Sequence, residues 1–348
     1  MPFNRRRAIA LGGSSLLAAC HGKAPLRTPV AGAKSRPMDA KVLDHGFPAL
    51  QARARPGAFA MGVMNLQTAE TWYWNTERAF PLATAVALPV AAAALAAVDA
   101  GKLALGEPAP FSSLDLSQPP SLIDQGWPDA TDDHRGRLPA ATLMSLALRE
   151  GDNTAIDVLM HRIGGPGAVT AWLQLKGVAG LTVDRYRREV GVEMFGMESF
   201  RPAWKSEAAF DAARDQVPLE KQQAAMDHYL VDPRDSSTVP AALGFLGMLS
   251  AGDLLSRASA GRLLSLLYEA QGGLFRSGLR PRVAFARALG STPTDLGFTP
   301  AVAEMGIATW PDGRSYVLAG FLVGSTATAD ARNALFADAA RLAERAIG

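Results

Sequence analysis

Strand-like runs stand near both ends of this chain, and the long span between them is helical. GAFAMGVMNL (57–66) and ETWYWN (70–75) are rich in apolar, β-branched and aromatic residues, and Gln67-Thr68-Ala69 supplies a hairpin turn between them. RVAFARAL (282–289), AEMGIATW (303–310) and SYVLAGFLV (315–323) follow near the other end, the last two joined by the turn signal Pro311-Asp312-Gly313-Arg314. Two strands, a helical block, three strands and a closing helix predict an α+β protein. Its antiparallel sheet joins the N- and C-terminal strands, helices pack on the sheet faces, and a helical subdomain fills the middle.

The helical span has readable boundaries. The apolar run after Thr84 ends at Asp99-Ala100-Gly101-Lys102, where Gly101 is suited to a helix C-terminus; it is too short to span a membrane. Helices are expected over 139–149, 153–164 and 166–176, with Gly164-Gly165-Pro166 ending one and starting the next. Residues 177–235 read as irregular. Helices resume over 237–250 and 257–271, and 329–347 is amphipathic, with Ala331, Leu335, Ala339 and Leu342 on one face.

The N-terminus sets the expected compartment. MPFNRRRAIALGGSSLLAAC is a basic start, a short apolar stretch and small residues before Cys20, the one cysteine of the 348-residue chain. Arg6-Arg7-Ala8-Ile9 resembles a twin-arginine export signal, and Leu17-Ala18-Ala19-Cys20 resembles a lipobox. Residues 1–19 are therefore expected to be a signal peptide, Cys20 a lipidation site, 20–45 a Pro/Ala/Gly-rich tether, and 46–348 the folded body. Within the body, 46–80 and 280–348 form the sheet part and 84–275 the mostly helical part. Cleavage would remove three arginines and lower the formal charge of +2 to −1. With no basic stripe interleaved with aromatics, no nucleic-acid partner is expected. A lipid-anchored, monomeric periplasmic protein is. His21 does not supply the aspartate that retains lipoproteins at the inner membrane, which favours the outer one.

Thr84, in FPLATAVALP (80–89), places a hydroxyl where a loop gives way to a buried helix. Free N–H groups and positive potential at such a start suit a nucleophile. The residue one turn on is Ala87, which offers no base. Pro89 either falls beyond the first turn of a helix capped by Thr84 or opens the regular helix itself, leaving 84–88 irregular.

Several stretches, in order, resemble the class A serine β-lactamases and related penicillin-interacting hydrolases. FPLATAVALPVAAAALAAVDAGKL resembles the segment that presents Ser-x-x-Lys and continues as a buried helix. REGDNTAIDVLMHRIGGPGAVTAWL resembles the Ser-Asp-Asn loop with its following helices, and VDRYRREVG the omega loop. DPRDSSTVPAAL resembles the stretch that restarts the helical domain. RVAFARALGST falls where the Lys-Thr-Gly strand belongs, and AEMGIATWPDGRSYVLAGFLV resembles the last two strands. The likeness covers about 45–347 and implies that family's fold.

It also implies a chemistry whose residues have been replaced. The family attacks an acyl carbonyl with a serine, assisted by a base, and releases the acyl-enzyme with water activated by a glutamate. On this likeness Thr84 stands at the nucleophile and Ala87 at the lysine. Gly151 replaces the serine of Ser-Asp-Asn, Arg187 the deacylating glutamate and Gly191 the asparagine beside it. Gly290 matches the glycine of Lys-Thr-Gly, which puts Ala288 at the lysine and Leu289 at the threonine. A slip of one residue would offer Arg287 instead, but it would turn the rest of the strand over. No lysine has Ser or Thr three residues before it, and Lys-Thr-Gly does not occur.

Asp152, Asn153, Gly290 and Ser291 remain as candidate ligand-binding residues, though with the neighbouring hydroxyl gone the reading of Asp152 or Asn153 as a simple cap of the next helix is favoured. Glu189 sits two residues past the expected base and better matches the loop's second, structural glutamate. Asp132-Asp133-His134 reads as a solvated turn, and Trp72, Tyr73 and Trp74 as strand packing. The histidines lack metal spacing, so neither a catalytic metal nor another cofactor is expected. The leading expectation is a non-hydrolytic protein binding a β-lactam, a cell-wall peptide or an envelope partner in the old cleft. The alternatives are a weak acyl hydrolase using Thr84 and a purely structural lipoprotein.

Overall fold

A computed structural model of the chain describes residues 37–125, 135–270 and 272–348. The expected signal peptide, Cys20 and Asp132-Asp133-His134 lie outside them. Helix α1 (Ala40–Ala54) opens the described structure, with the Asp39 carboxylate accepting from the Lys41 N–H at its start. The expected tether thus gives way to helix at 40 rather than 45. Leu43, Phe47, Leu50 and Ala54 recur at helical spacing and are buried, although Gly46 and Pro48 interrupt the pattern in sequence.

β1 (Ala58–Asn65) and β2 (Thr71–Trp74) form the expected hairpin. A two-residue strand, β3 (Phe80–Pro81), leads through the 3₁₀ turn Ala83–Val86 into α2 (Ala87–Asp99). Every residue from Ala87 to Leu95 is buried, because α2 packs against helices on several sides and alanine lets them approach. Pro89 takes its third position, inside the first turn, where no α-helical bond requires its N–H; neither sequence alternative placed it there.

The middle of the chain supplies β4 (Pro108–Ser112), α3 (Leu122–Gln125), β5 (Arg135–Pro139), α4 (Ala140–Ser145), α5 (Asn153–Arg162) and α6 (Pro166–Leu175). β4 and β5 pair as a small antiparallel sheet that the sequence reading left out. The segment expected to be irregular, 177–235, carries three helices: α7 (Arg187–Met194), α8 (Glu207–Arg214) and α9 (Leu219–Val231). Their apolar residues are sparse, and each helix contributes only a few to a separate small core around Val190, Met194, Phe195, Phe210, Met226 and Tyr229.

β6 (Ser236–Ser237) pairs with β3 and is followed by α10 (Val239–Ala251) and α11 (Arg257–Glu269). β7 (Ala284–Ser291), β8 (Thr299–Thr309) and β9 (Ser315–Ser325) complete the main sheet, and α12 (Ala329–Ile347) closes the chain. The sheet order is β2-β1-β9-β8-β7, antiparallel throughout, so the first hairpin joins the last strands as expected. One face packs under α1 and α12 around Phe47, Phe59, Phe336 and Tyr316. The other buries Ala60, Ala286, Ala303 and Phe321 with α2, α5, α10 and α11. Trp72 and Trp74 stack beside Phe47, and the Trp72 indole donates to Asp44, so these two rings are packing, whereas Tyr73 between them is exposed.

Candidate active-site cleft

Thr84 lies in the 3₁₀ turn between β3 and α2. The turn is fixed from both sides. Leu82 N–H donates to the Asp235 carbonyl, and Ala85 N–H donates to the Leu82 carbonyl. Ala83 adopts a left-handed backbone (φ 49°), which costs an alanine about 1–2 kcal/mol. The strain presents Thr84 to a cavity of about 280 Å³ that it lines with Gln118, Asn153, Arg187, Phe210 and Ser291.

Two glycines show how close the neighbouring segments come. A Cβ on Gly290 would fall 2.2 Å from the Ala85 nitrogen and 2.4 Å from the Leu82 carbonyl oxygen, so β7 rests directly on the Thr84 turn. Gly151 (φ 65°) faces Thr84 from the other side: a Cβ there would lie 3.5 Å from Thr84 Oγ1. Gly151 is therefore beside the hydroxyl, but it offers no side chain to it. Ala87 and Ala288 are both buried and contribute only methyl groups. Among the described residues, Thr84 Oγ1 has no hydrogen-bond partner.

Thr84, expected at the nucleophile position, and Asn153 and Ser291, two of the four expected ligand-binding residues, line the cavity. Asp152 belongs to the frame instead. It caps α5 through the Ala155 N–H, accepts the Ser121 hydroxyl, and accepts the Leu122 and Ile123 N–H groups, so both its oxygens are engaged by the chain. Gly290 likewise supplies close packing and does not line the cavity. Arg287 is on the opposite sheet face, next to Glu304 and under Gly273, as strand alternation requires. Glu304 is fully buried, which pushes its carboxyl up to about 7, while the Leu274 and Phe275 N–H groups and Arg287 favour the charged form. Glu189 accepts the Tyr186 N–H and lines a separate outer groove of about 510 Å³, away from Thr84.

Arg187 occupies the cavity floor. It is 6% exposed, and its Nε donates to Asn153 Oδ1 at 3.1 Å. Asn153 in turn donates Nδ2 to the Gln118 carbonyl, which settles the orientation of its amide. The space above Gly191 is filled by Gln118: a Cβ on Gly191 would come within 2.4 Å of its amide carbon. The start of α7 is held by Asp157, whose carboxylate accepts the Arg187 and Arg188 N–H groups. Complete burial pushes the Asp157 carboxyl up to about 7, against those hydrogen bonds and the nearby arginines.

A second clamp ties this loop to the Thr84 turn. Asp235 accepts the Asp184 and Arg185 N–H groups and the Arg185 Nε, while its own carbonyl holds Leu82. Arg185 also pairs with Asp232 and Glu193. The remaining charged groups of the cavity stand at α8: Arg214 is paired with Asp211 at 2.9 Å, and Glu207 is exposed. Gln118, Met194, Phe195, Glu207, Phe210, Asp211 and Arg214 were not singled out from sequence; they come from loop 116–121, from the end of α7 with the residue after it, and from α8, helices that sequence did not show. The chemistry available is thus a hydroxyl at a strained turn, a buried arginine, amide donors and an apolar wall, with no histidine or lysine among the described lining residues.

The pattern of the "Beta-lactamase enzyme family" matches residues 48–347. The chain is 20% identical to the β-lactamase VEB-1 of Pseudomonas aeruginosa, over 83% of this chain and 85% of that one. It is 26% identical to the β-lactamase Toho-2 of Escherichia coli, over 84% and 86%. Among solved structures, an ancestral Gram-negative class A β-lactamase superposes with a TM-score of 0.68 at 26% identity, covering 87% of this chain and 99% of the other.

Proposed function

This chain belongs to the β-lactamase enzyme family, and from that premise we propose that it is a non-hydrolytic member that keeps the old cleft as a binding site for a β-lactam or a cell-wall peptide. One observation carries the reading: the cavity beside Thr84 persists, yet Arg187 stands on its floor where the chemistry requires a carboxylate. Ala87, Gly151 and Ala288 leave the other proton-transfer and substrate-holding positions without functional groups. Groups that act as a unit do not compensate for one another, and losing one typically costs orders of magnitude in rate.

A second reading, slow acyl transfer to Thr84, draws on the left-handed Ala83, because the turn still presents a hydroxyl to the cavity. Steady-state hydrolysis of a chromogenic cephalosporin by native protein and Thr84→Ala separates the two. The expected result is the same background rate for both; turnover abolished by Thr84→Ala overturns the proposal.

The proposal includes export and anchoring through a lipid on Cys20, with the outer membrane favoured. Among the described residues no helix is long and apolar enough to cross a membrane, so the anchor would carry the attachment. Fractionation of native and Cys20→Ala cells tests this: Cys20→Ala should release the protein from membranes, and its continued membrane association counts against the anchor.

A further inference from the structure

We propose that Arg187 makes the cleft floor a receptor for a single carboxylate, such as the free C-terminus of a peptide or the carboxylate of a β-lactam. The inference rests on the cleft-binding reading above and names the chemistry that it would recognise.

The guanidinium is placed for such a role. Arg187 is 94% buried, lines the cavity, and uses Nε alone on the protein, in its bond to Asn153 Oδ1. Among the described residues its two Nη groups have no hydrogen-bond partner. Asp157 is near enough to attract the cation, but its oxygens are taken by the Arg187 and Arg188 backbone N–H groups. A buried guanidinium with free Nη donors is costly until a planar anion accepts them, and a carboxylate matches that fork.

The surroundings limit the anion. The Gln118 side chain and the Thr84 hydroxyl add neutral polar groups, whereas Phe195 and Phe210 supply an apolar wall for the rest of the ligand. At the mouth Asp211 is already paired with Arg214, and Glu207 adds a negative charge. One buried cation behind an acidic rim suits a monoanion and disfavours a polyphosphate. A volume of about 280 Å³ fits a dipeptide or a single bicyclic nucleus.

Isothermal titration of the full-length protein in detergent tests this with matched pairs: N-acetyl-D-alanyl-D-alanine against its C-terminal amide, and benzylpenicillin against its methyl ester. Native protein should bind the free acid at least about tenfold more tightly than the neutral partner, since a charge-assisted bidentate contact is lost in the latter. Discrimination within only one pair identifies the carboxylate source and supports the site. Arg187→Gln, which keeps a donor for Asn153, should abolish the preference, while Arg187→Lys should retain part of it. Circular dichroism confirms that each variant is folded. Equal binding of acid and neutral probe, or a preference surviving Arg187→Gln, overturns the carboxylate site and leaves cleft binding standing. If none of the four probes binds, the cleft-binding reading falls and this inference with it.

Discussion

Arg187 Nε donates to Asn153 Oδ1 at 3.1 Å on the floor of the cavity that Thr84 lines. The pair joins the loop aligned with a deacylating glutamate to the asparagine of the Ser-Asp-Asn position. A carboxylate at 187 would face the Asn153 carbonyl oxygen, so the two side chains are matched to each other as donor and acceptor.

Restoring single catalytic groups therefore should not restore hydrolysis. Thr84→Ser, Ala87→Lys and Arg187→Glu, each alone, should leave cephalosporin turnover at background. Arg187→Glu should also lower stability by about 1–3 kcal/mol, because it sets an acceptor against the Asn153 acceptor. Turnover kinetics and urea unfolding check both parts; turnover from any one of these substitutions contradicts the account.

Gly290 is required by the contact between β7 and the Thr84 turn. Gly290→Ala would place a methyl 2.2 Å from the Ala85 nitrogen, against the backbone of the turn. It should cost about 1–3 kcal/mol in urea unfolding and weaken ligand binding at the same time. A neutral effect would show that the turn can retreat from β7.

Asp235→Ala should be the more damaging change. It removes the acceptor of two backbone N–H groups and of the Arg185 Nε, leaving a buried arginine with only Asp232 and Glu193. Breaking a buried ion pair from one side costs about 3–5 kcal/mol. Denaturant unfolding should show a loss of this size, and a loss near zero contradicts the clamp.

Burial raises the Asp157 carboxyl to about 7 in the folded protein, above its ordinary value of 3.8. The folded state then holds the proton more tightly than the unfolded chain, so this group's stabilising contribution is present at low pH. It fades as pH rises from about 4 towards 7, by at most about 1.4 kcal/mol per pH unit. Asp157→Asn removes the titration. Its unfolding free energy should gain on that of native protein as pH rises across this window and run parallel above it; parallel curves throughout contradict the shift.

Much of the fold was legible because its signals are local. Both hairpins, the all-apolar α2 and the glycine–proline boundary before α6 carry their own periodicity and turn chemistry. Residues 187–231 were not legible as α7, α8 and α9, since each helix buries only a few apolar residues against a small core of its own. α1 was hidden by Gly46 and Pro48 within its apolar spacing. In the site, sequence singled out Thr84, Asn153, Arg187 and Ser291, which line one cavity. It did not show that Asp152 spends both oxygens on the frame, or that Gln118 fills the space over Gly191. Those facts depend on which loops meet, and nothing in the spacing of residues 116–121 announces a meeting with α7.

Intact-mass spectrometry of the protein incubated with benzylpenicillin over hours tests the central claim most directly. The account predicts an unmodified mass at every time point and unchanged penicillin in solution, whatever reversible binding titration reveals. A mass increase equal to one penicillin, mapped to Thr84 and absent in Thr84→Ala, would contradict it.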